Sequence, residues 1–110
     1  MIAALGKIAV PTPGTPVRVT LSIPYAKSTS LHAIMFEADP ENTGNVYIGR
    51  AGMVRATREG VYAMLAVPTA NFFPTFSVAL TIAPNGLSSD EFYIDADVAG
   101  DGAIATYLVT

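Results

Sequence analysis

Three aspartates, Asp95, Asp97 and Asp101, form the densest group of side chains that could do chemistry. Asp95 and Asp97 are two residues apart in a segment that alternates like a strand, so both side chains point to the same face. Asp101 follows in a glycine turn. Asp-x-Asp with a later Asp-Gly is superficially similar to a calcium-binding loop, but the ligand spacing and the closing glutamate of such a loop are missing. A structural calcium ion and a solvated polar face on a half-buried strand are the two interpretations. Neither carboxylate is marked as the acid or the nucleophile of a glycosidase pair.

The sequence offers few residues that could act as a catalytic nucleophile or bind a transition metal. His32 is the only histidine, and it lies in an apolar segment with Ile34 and Phe36 on the same face. A catalytic triad needs a base, an orienting partner and a nucleophile, but no serine stands in a nucleophile motif and cysteine is absent. One imidazole cannot supply the two or three that a metal-dependent jelly-roll enzyme uses. We therefore expect a protein that is not an enzyme and that has no cofactor.

Two groups of residues are candidate subunit contacts instead. Arg50, Arg55 and Arg58 stand close together in a glycine-containing segment. They are either ordinary loop charge or a patch that meets acidic groups on a neighbouring subunit, which would suit the fork of donors on arginine. Phe72 and Phe73 lie in an apolar Asn-Phe-Phe-Pro corner. Aromatic residues are common in protein cores and are enriched at interface cores, so both placements are open.

Composition restricts the class of protein. The chain has 110 residues, which predicts one domain. Hydrophobic residues make up 51% and charged residues only 14%, so either much of the chain is interior or partners cover part of its surface. The net charge is −3 and the six basic residues form no run, which argues against nucleic acid as a partner. No apolar run is long enough for a membrane helix, and the N-terminus lacks the basic region of a signal peptide. We expect synthesis in the cytoplasm.

The elements that must position these residues are short strands. Eight prolines and nine glycines separate segments rich in Val, Ile, Thr, Tyr and Phe, a pattern typical of an all-β sandwich or barrel. We predict seven to nine strands and favour a small two-sheet sandwich of jelly-roll type over a closed barrel. The predicted strands occupy residues 15–23, 31–38, 45–49, 61–67, 75–83, 92–98 and 103–109.

The segments before and between these strands are predicted to be of different kinds. Residues 1–14 are expected to be an N-terminal arm or an edge strand, and residues 15–110 a single β-sandwich domain. Residues 50–60 are predicted to be a loop around a short strand at 53–56. Pro84-Asn85-Gly86 is a strong turn signal. The last two strands, joined by a short glycine-rich loop, are predicted to pair as a hairpin.

Two segments carry a resemblance to a known family. Residues 42–49 read Asn-Thr-Gly-Asn-Val-Tyr-Ile-Gly, and residues 87–103 read Leu-Ser-Ser-Asp-Glu-Phe-Tyr-Ile-Asp-Ala-Asp-Val-Ala-Gly-Asp-Gly-Ala. They resemble the patterns N-T-G-x-V-Y-V-G and D-L-S-D-I-Y-V-D-A-x-V-x-G-D-G-V of small tailed-phage virion proteins of the capsid decoration, or cement, type. The likeness covers residues 15–110, with Glu91 as one extra residue relative to the second pattern.

The resemblance implies a short β-domain that binds the outside of a phage capsid in many copies and reinforces it. The implied partners are the major capsid protein and copies of the chain itself, in a homo-oligomer for which a trimer is favoured. The implied location is the capsid surface of the virion. The family pattern contains no catalytic or binding residue that could be carried over.

Two alternatives from other classes stay open. One is a host- or carbohydrate-binding β-module of a phage tail or fibre, which would expose an aromatic platform drawn from Tyr47, Tyr62, Tyr93 and Tyr107. The other is a component of the head–tail connector. The absence of tryptophan argues against the first of these, and the sequence does not separate the second from a decoration protein.

Overall fold

The computed structural model describes residues 2–19, 31–79 and 92–109. These residues form eight β-strands: β1 (Ile2–Ala9), β2 (Val17–Arg18), β3 (Leu31–Ala38), β4 (Val46–Val54), β5 (Glu59–Leu65), β6 (Thr75–Ala79), β7 (Tyr93–Ala96) and β8 (Gly102–Val109). The described part of the chain has no helix of the length and apolar character that crossing a membrane requires.

The strands form two antiparallel sheets of four. The first sheet has the order β1-β8-β3-β6 and the second has the order β2-β7-β4-β5. The first strand therefore pairs with the eighth, the second with the seventh, the third with the sixth and the fourth with the fifth. A chain with these pairings is one long hairpin that has been rolled into two facing sheets, which is the jelly roll. The predicted all-β two-sheet sandwich of jelly-roll type is confirmed, and the eight strands of the described residues fall within the predicted seven to nine.

The core lies between the two sheets. In β4 and β7, alternate side chains point inward, so that Val46 and Ile48 pack beside Ile94 on one wall. Phe92 lies between the sheets with its ring centroid 5.7 Å from that of Phe36 in β3. Each large apolar side chain buried in this way contributes about 1.5–3 kcal/mol. The buried apolar residues that form this cluster also include Val10, Val19, Ile34, Ala38, Leu65, Ala96, Ala103, Ala105 and Tyr107.

The predicted hairpin between the last two strands is wrong. Strand β7 pairs with β2 and β4 in the second sheet, while β8 pairs with β1 and β3 in the first. Residues 97–101 carry the chain across the sandwich. Their main chain bonds to Val10 in the β1–β2 connection: Gly100 N–H donates to Val10 O, and Val10 N–H donates to Asp101 O, both at 2.9 Å. Gly100 has φ 89°, which glycine adopts without strain.

The prediction of a loop over residues 50–60 with its own short strand is also wrong. Strand β4 continues to Val54, β5 begins at Glu59, and only residues 55–58 form the turn. The register passes from Gly49 opposite Val61 to Val54 opposite Glu59, so β4 contributes several more residues than β5 to this part of the hairpin. Such a bulge bends the longer strand and increases its twist.

The other predicted strands overlap observed ones, and β3 covers residues 31–38 as expected, but of the described part of the strand predicted at 15–23 only Val17–Arg18 is strand. Residues 2–9 form β1, which ends its sheet as an edge strand. The predicted turn at residues 84–86, the later parts of the strands predicted at 15–23 and 75–83, and residues 87–91 of the family-like segment lie outside the described residues.

Candidate functional site

The β4–β5 hairpin folds back over the outer face of the second sheet. Met53 is only 4% exposed because it lies against Gly49, where a Cβ atom would come within 2.5 Å of the Met53 Sδ. Only glycine leaves room for this contact. Side chains from the tip of the hairpin can then reach β7, which lies on the other side of β4.

Arg55, near that tip, pairs with two carboxylates of the second sheet. Its Nη1 donates to Asp97 Oδ1 at 2.5 Å, and its Nε lies 3.7 Å from Asp95 Oδ2. Asp95 is 1% exposed and also accepts hydrogen bonds from the backbone N–H groups of Gly14 (3.0 Å) and Ala96 (2.8 Å). A buried carboxylate requires such partners, so Arg55 and Gly14 stabilise the charge on Asp95. This ion pair ties the hairpin tip and the β1–β2 connection to β7.

Tyr47 and Arg58 extend the same cluster. The Tyr47 hydroxyl lies 3.1 Å from Asp97 Oδ2, and its ring lies beneath the Arg58 guanidinium, 5.3 Å from the ring centroid. Burial, followed by the Asp97 carboxylate, raises the pKa of Tyr47. Arg58 has φ 66°, an uncommon conformation for a residue with a side chain, and its Nη2 lies 3.2 Å from Met64 Sδ. The cation–π contact helps to hold this turn residue over the sheet.

A second polar cluster joins the two segments that carry the family resemblance. The Asn42 side chain donates to Gly102 O at 2.8 Å and accepts from Gly102 N–H at 3.0 Å. Asp101 Oδ2 accepts from the backbone N–H groups of Thr43 (3.0 Å) and Gly44 (2.7 Å). A Cβ at Gly102 would overlap the Ile8 carbonyl oxygen of β1, so only glycine fits there. We call this group of contacts the end latch.

Asp39 lies beside the end latch and connects it to β1. Its Oδ1 accepts from Glu41 N–H at 2.9 Å, and its Oδ2 lies 3.1 Å from Lys7 Nζ. The Glu41 hydrogen bond is the largest single cause that lowers the pKa of Asp39; burial acts in the opposite direction, and the hydrogen bond and the positive charge of Lys7 lower the pKa further. The carboxylate is therefore favoured in its charged form in the folded protein.

The three aspartates that the sequence singled out form two groups with different partners. Asp95 and Asp97 share Arg55, as expected for side chains on one face, whereas Asp101 bonds to the main chain of residues 43–44. The interpretation of a solvated polar face is wrong for Asp95, which lies in a strand with a neighbour on each side and is covered by the hairpin. Among the residues that the structure describes, no three acidic or histidine side chains come together as metal ligands.

The five candidate subunit contacts have different surroundings. All three arginines contact groups of their own chain, but Arg50 is half exposed: its Nη1 donates to Ala51 O at 3.0 Å, and its Nη2 lies 3.9 Å from Glu59 Oε1. Phe72 is 62% and Phe73 40% exposed. Phe72 closes a tight turn through reciprocal backbone hydrogen bonds with Thr69, and Phe73 follows the turn. Asn71, Phe72 and Phe73 are therefore on the surface, whereas Pro74 of the same corner is buried.

Sequence reasoning missed the partners of these side chains. In the sequence, Asn42 and Gly102 stand out only as parts of turn patterns, and Tyr47 only as part of a strand and of a candidate aromatic platform. A signal was present for the first two, because Asn-Thr-Gly and Gly-Asp-Gly are both rich in residues that bond to the main chain or permit close approach. No comparable signal in the sequence marked Tyr47 as a partner of Asp97.

Comparison of the chain with protein-family models, with curated proteins and with solved structures finds no match.

Proposed function

We propose that this protein is a structural virion protein that binds the outside of a tailed-phage capsid and reinforces it. The observation that carries the proposal is the end latch. The segments that resemble small virion proteins, at residues 42–49 and 87–103, contact each other through Asn42, Gly102 and Asp101. The resemblance therefore falls on residues whose contacts close the fold. Proteins that share a structural framework are expected to be alike at such residues.

The use of the polar side chains supports a structural role. Asp95, Asp97 and Arg55 bond to one another, and Asp101 bonds to backbone N–H groups. A catalytic group must be able to reach a substrate, and these groups are engaged in holding the sandwich together. A reinforcing protein needs this rigidity because its folded shape must transmit load between neighbours.

Arg50 is the candidate residue for contact with the shell. Its side chain is 51% exposed, its ion pair with Glu59 is long at 3.9 Å, and its Nη1 donates to the Ala51 carbonyl at 3.0 Å. Both contacts are exposed to solvent and therefore weak. A guanidinium has five N–H donors, so Arg50 can also bond to a carboxylate on a partner. Arg55 lacks this freedom because it neutralises the buried Asp95.

Binding to shells tests the proposal directly. Tailed-phage shells stripped of their accessory proteins are mixed with the purified chain, sedimented, and then heated to measure the temperature at which they rupture. We expect saturable co-sedimentation and a higher rupture temperature. Arg50→Glu should weaken binding, while Arg50→Lys, which keeps the charge, should retain most of it. Absence of saturable binding together with unchanged rupture would contradict the proposal.

A carbohydrate-binding module is the second candidate. Of the four tyrosines that could form its platform, Tyr47 and Tyr107 are buried, whereas Tyr62 is 50% exposed. The Tyr62 ring packs edge-on against Phe92 with 6.1 Å between centroids, which leaves part of it accessible to a sugar. Binding to defined glycans on an array, with loss in Tyr62→Ala, would favour this function over shell binding.

A further inference from the structure

The end latch contains a peptide bond that is prone to a spontaneous reaction. Of the five aspartates in the chain, only Asp101 is followed by glycine. Glycine has no side chain to shield its backbone nitrogen from the preceding carboxyl group, so Asp-Gly isomerises more readily than other aspartyl sequences. The bond between Asp101 and Gly102 is therefore the aspartyl bond of this chain that is most open to isomerisation.

The reaction requires only water. The Gly102 nitrogen attacks Cγ of Asp101 in its acid form, so that a C–N bond forms and the amide proton leaves with the carboxyl hydroxyl as water. The product is a five-membered succinimide. Water then adds to one of its two carbonyl carbons and breaks the bond from that carbon to nitrogen. Addition at Cγ restores aspartate, whereas addition at the former main-chain carbonyl gives isoaspartate, which has the same mass and one more carbon in the main chain.

The end latch holds the groups that would react. Gly102 N–H donates to Asn42 Oδ1 at 3.0 Å, and Asp101 Oδ2 accepts from the backbone N–H groups of residues 43–44 at 3.0 and 2.7 Å. The Asp101 carbonyl, on the other side of the same peptide group, accepts from Val10 N–H at 2.9 Å. The nitrogen can approach Cγ only if the peptide group rotates and the carboxylate leaves its donors, so these hydrogen bonds must break first.

We propose that Asp101 is a modification site, which converts to isoaspartate only in molecules whose end latch has opened. Local opening is a normal fluctuation of folded proteins, and a reaction of the open form proceeds in proportion to its population. Asn42 controls this population, because its amide bonds to both the N–H and the carbonyl of Gly102. The inference goes beyond the capsid proposal, since it applies whether or not the chain binds a shell.

Conversion also prevents the end latch from closing again. Isoaspartate moves the nitrogen of Gly102 away from Cα of residue 101 by one carbon atom. Gly102 lies so close to β1 that even a Cβ atom would overlap the Ile8 carbonyl oxygen, so a lengthened chain has no room to keep the present register against Ala9. Each opening that leads to isoaspartate is thus recorded permanently in the chain.

The extent of conversion is measured on peptides. The endoprotease Asp-N cuts before aspartate and not before isoaspartate, so a converted chain gives an uncut peptide 97–110 in place of 97–100 and 101–110. Asn85-Gly86, where the same ring can form by deamidation, falls in the separate peptide 39–89. Wild type, Asn42→Ala and Ile34→Val are aged at one temperature at which all three remain folded, beside wild type in urea. Ile34→Val is the matched control, because it weakens the core at a residue that is 1% exposed and leaves the hydrogen bonds of the end latch in place.

We expect folded wild type to convert at least about tenfold more slowly than the unfolded chain. Asn42→Ala should convert at least about tenfold faster than folded wild type, which corresponds to about 1.4 kcal/mol of easier opening. Asn42→Asp, which keeps an oxygen for the Gly102 N–H, should lie between these two rates, and it replaces Asn42→Ala if that variant does not fold. Ile34→Val should convert at the wild-type rate. Conversion of folded wild type at the rate of the unfolded chain, no acceleration in the Asn42 variants, or acceleration of Ile34→Val in step with its loss of stability in urea would overturn the inference.

Discussion

Asn42 and Gly102 exchange two hydrogen bonds across 60 residues of sequence: the Asn42 amide donates to Gly102 O at 2.8 Å and accepts from Gly102 N–H at 3.0 Å. Asn42 is 6% exposed, so without these two bonds the side-chain amide of Asn42 would be buried with its hydrogen-bonding groups unpaired. The side chain imitates a backbone strand pair, which joins the β3–β4 loop to the start of β8.

Replacing this amide should destabilise the protein. Asn42→Asp keeps the shape of the side chain but removes the donor to Gly102 O and places a charge in a buried position. We expect a loss of about 2 kcal/mol in the free energy of unfolding, measured in urea at pH 7. Asn71→Asp makes the same change in an exposed turn and should cost less than about 0.5 kcal/mol. Equal effects of the two substitutions would show that the reciprocal pair contributes little.

The two glycines of the end latch should differ in their tolerance of alanine. At Gly102 the added Cβ would overlap the Ile8 carbonyl, which is backbone of the paired strand β1, so that strand must move. We expect a loss of about 3 kcal/mol. At Gly44 the Cβ would meet Val98 Cγ2 at 2.8 Å, and this half-exposed side chain can rotate away, so the loss should be about 1 kcal/mol. Urea unfolding measures both, and a larger loss at Gly44 would contradict this explanation.

The ion pair between Arg55 and Asp95 on the outer face can be tested with Arg50 as a matched control. Arg55→Gln leaves the buried Asp95 with backbone donors but without its cation, and we expect a loss of about 2 kcal/mol. Arg50→Gln removes a half-exposed partner 3.9 Å from Glu59 and should change stability by less than about 0.5 kcal/mol. If Arg50→Gln proved as costly as Arg55→Gln, burial of Asp95 could not be the reason.

Asp39 should contribute to the acid sensitivity of the protein. Its pKa is lower in the folded state than its ordinary value of 3.8, chiefly through the Glu41 N–H bond. A lowered folded pKa gives stability that is fully present above the unfolded pKa and is lost as the pH falls through the folded one. Unfolding in urea between neutral pH and pH below 3.8 should therefore show a smaller decline in Asp39→Asn than in the wild type.

Lys7→Met separates the two causes of that lowered pKa. This variant keeps the Glu41 hydrogen bond, which is the largest single cause, and loses both the hydrogen bond and the charge of Lys7. We expect a decline with acid that is smaller than in the wild type and larger than in Asp39→Asn, and a decline equal to that of the wild type would show that Lys7 contributes nothing.

The sequence predicted local structure better than the relations between elements. Strand β3 was predicted with its observed bounds because residues 31–38 lie between turn signals. The hairpin expected between β7 and β8 was wrong because a short loop usually joins paired strands. Here the hydrogen bonds to Val10 turn the chain toward the other sheet, and nothing in residues 97–101 alone encodes that distant partner.

The candidate site shows the same limit. The types and spacing of Asp95 and Asp97 correctly placed them on one face, whereas Arg55, predicted as a contact to acidic groups of a neighbouring subunit, meets Asp95 and Asp97 of its own chain. That those acidic groups belong to its own chain depends on the bulge between Gly49 and Val54, which folds the hairpin back. A bulge of this kind follows from packing against Met53 rather than from any turn motif in the sequence.

The position of β8 determines when the fold can be completed. It is the last of the described strands along the chain, and it lies between β1 and β3 in the first sheet. During synthesis, β1 and β3 must therefore wait for the strand that joins them, and the exposed edges of both are open to aggregation until it leaves the ribosome. Pairing between such distant residues slows folding. Production of this protein in quantity is thus expected to depend on translation speed and chaperones more than on final stability.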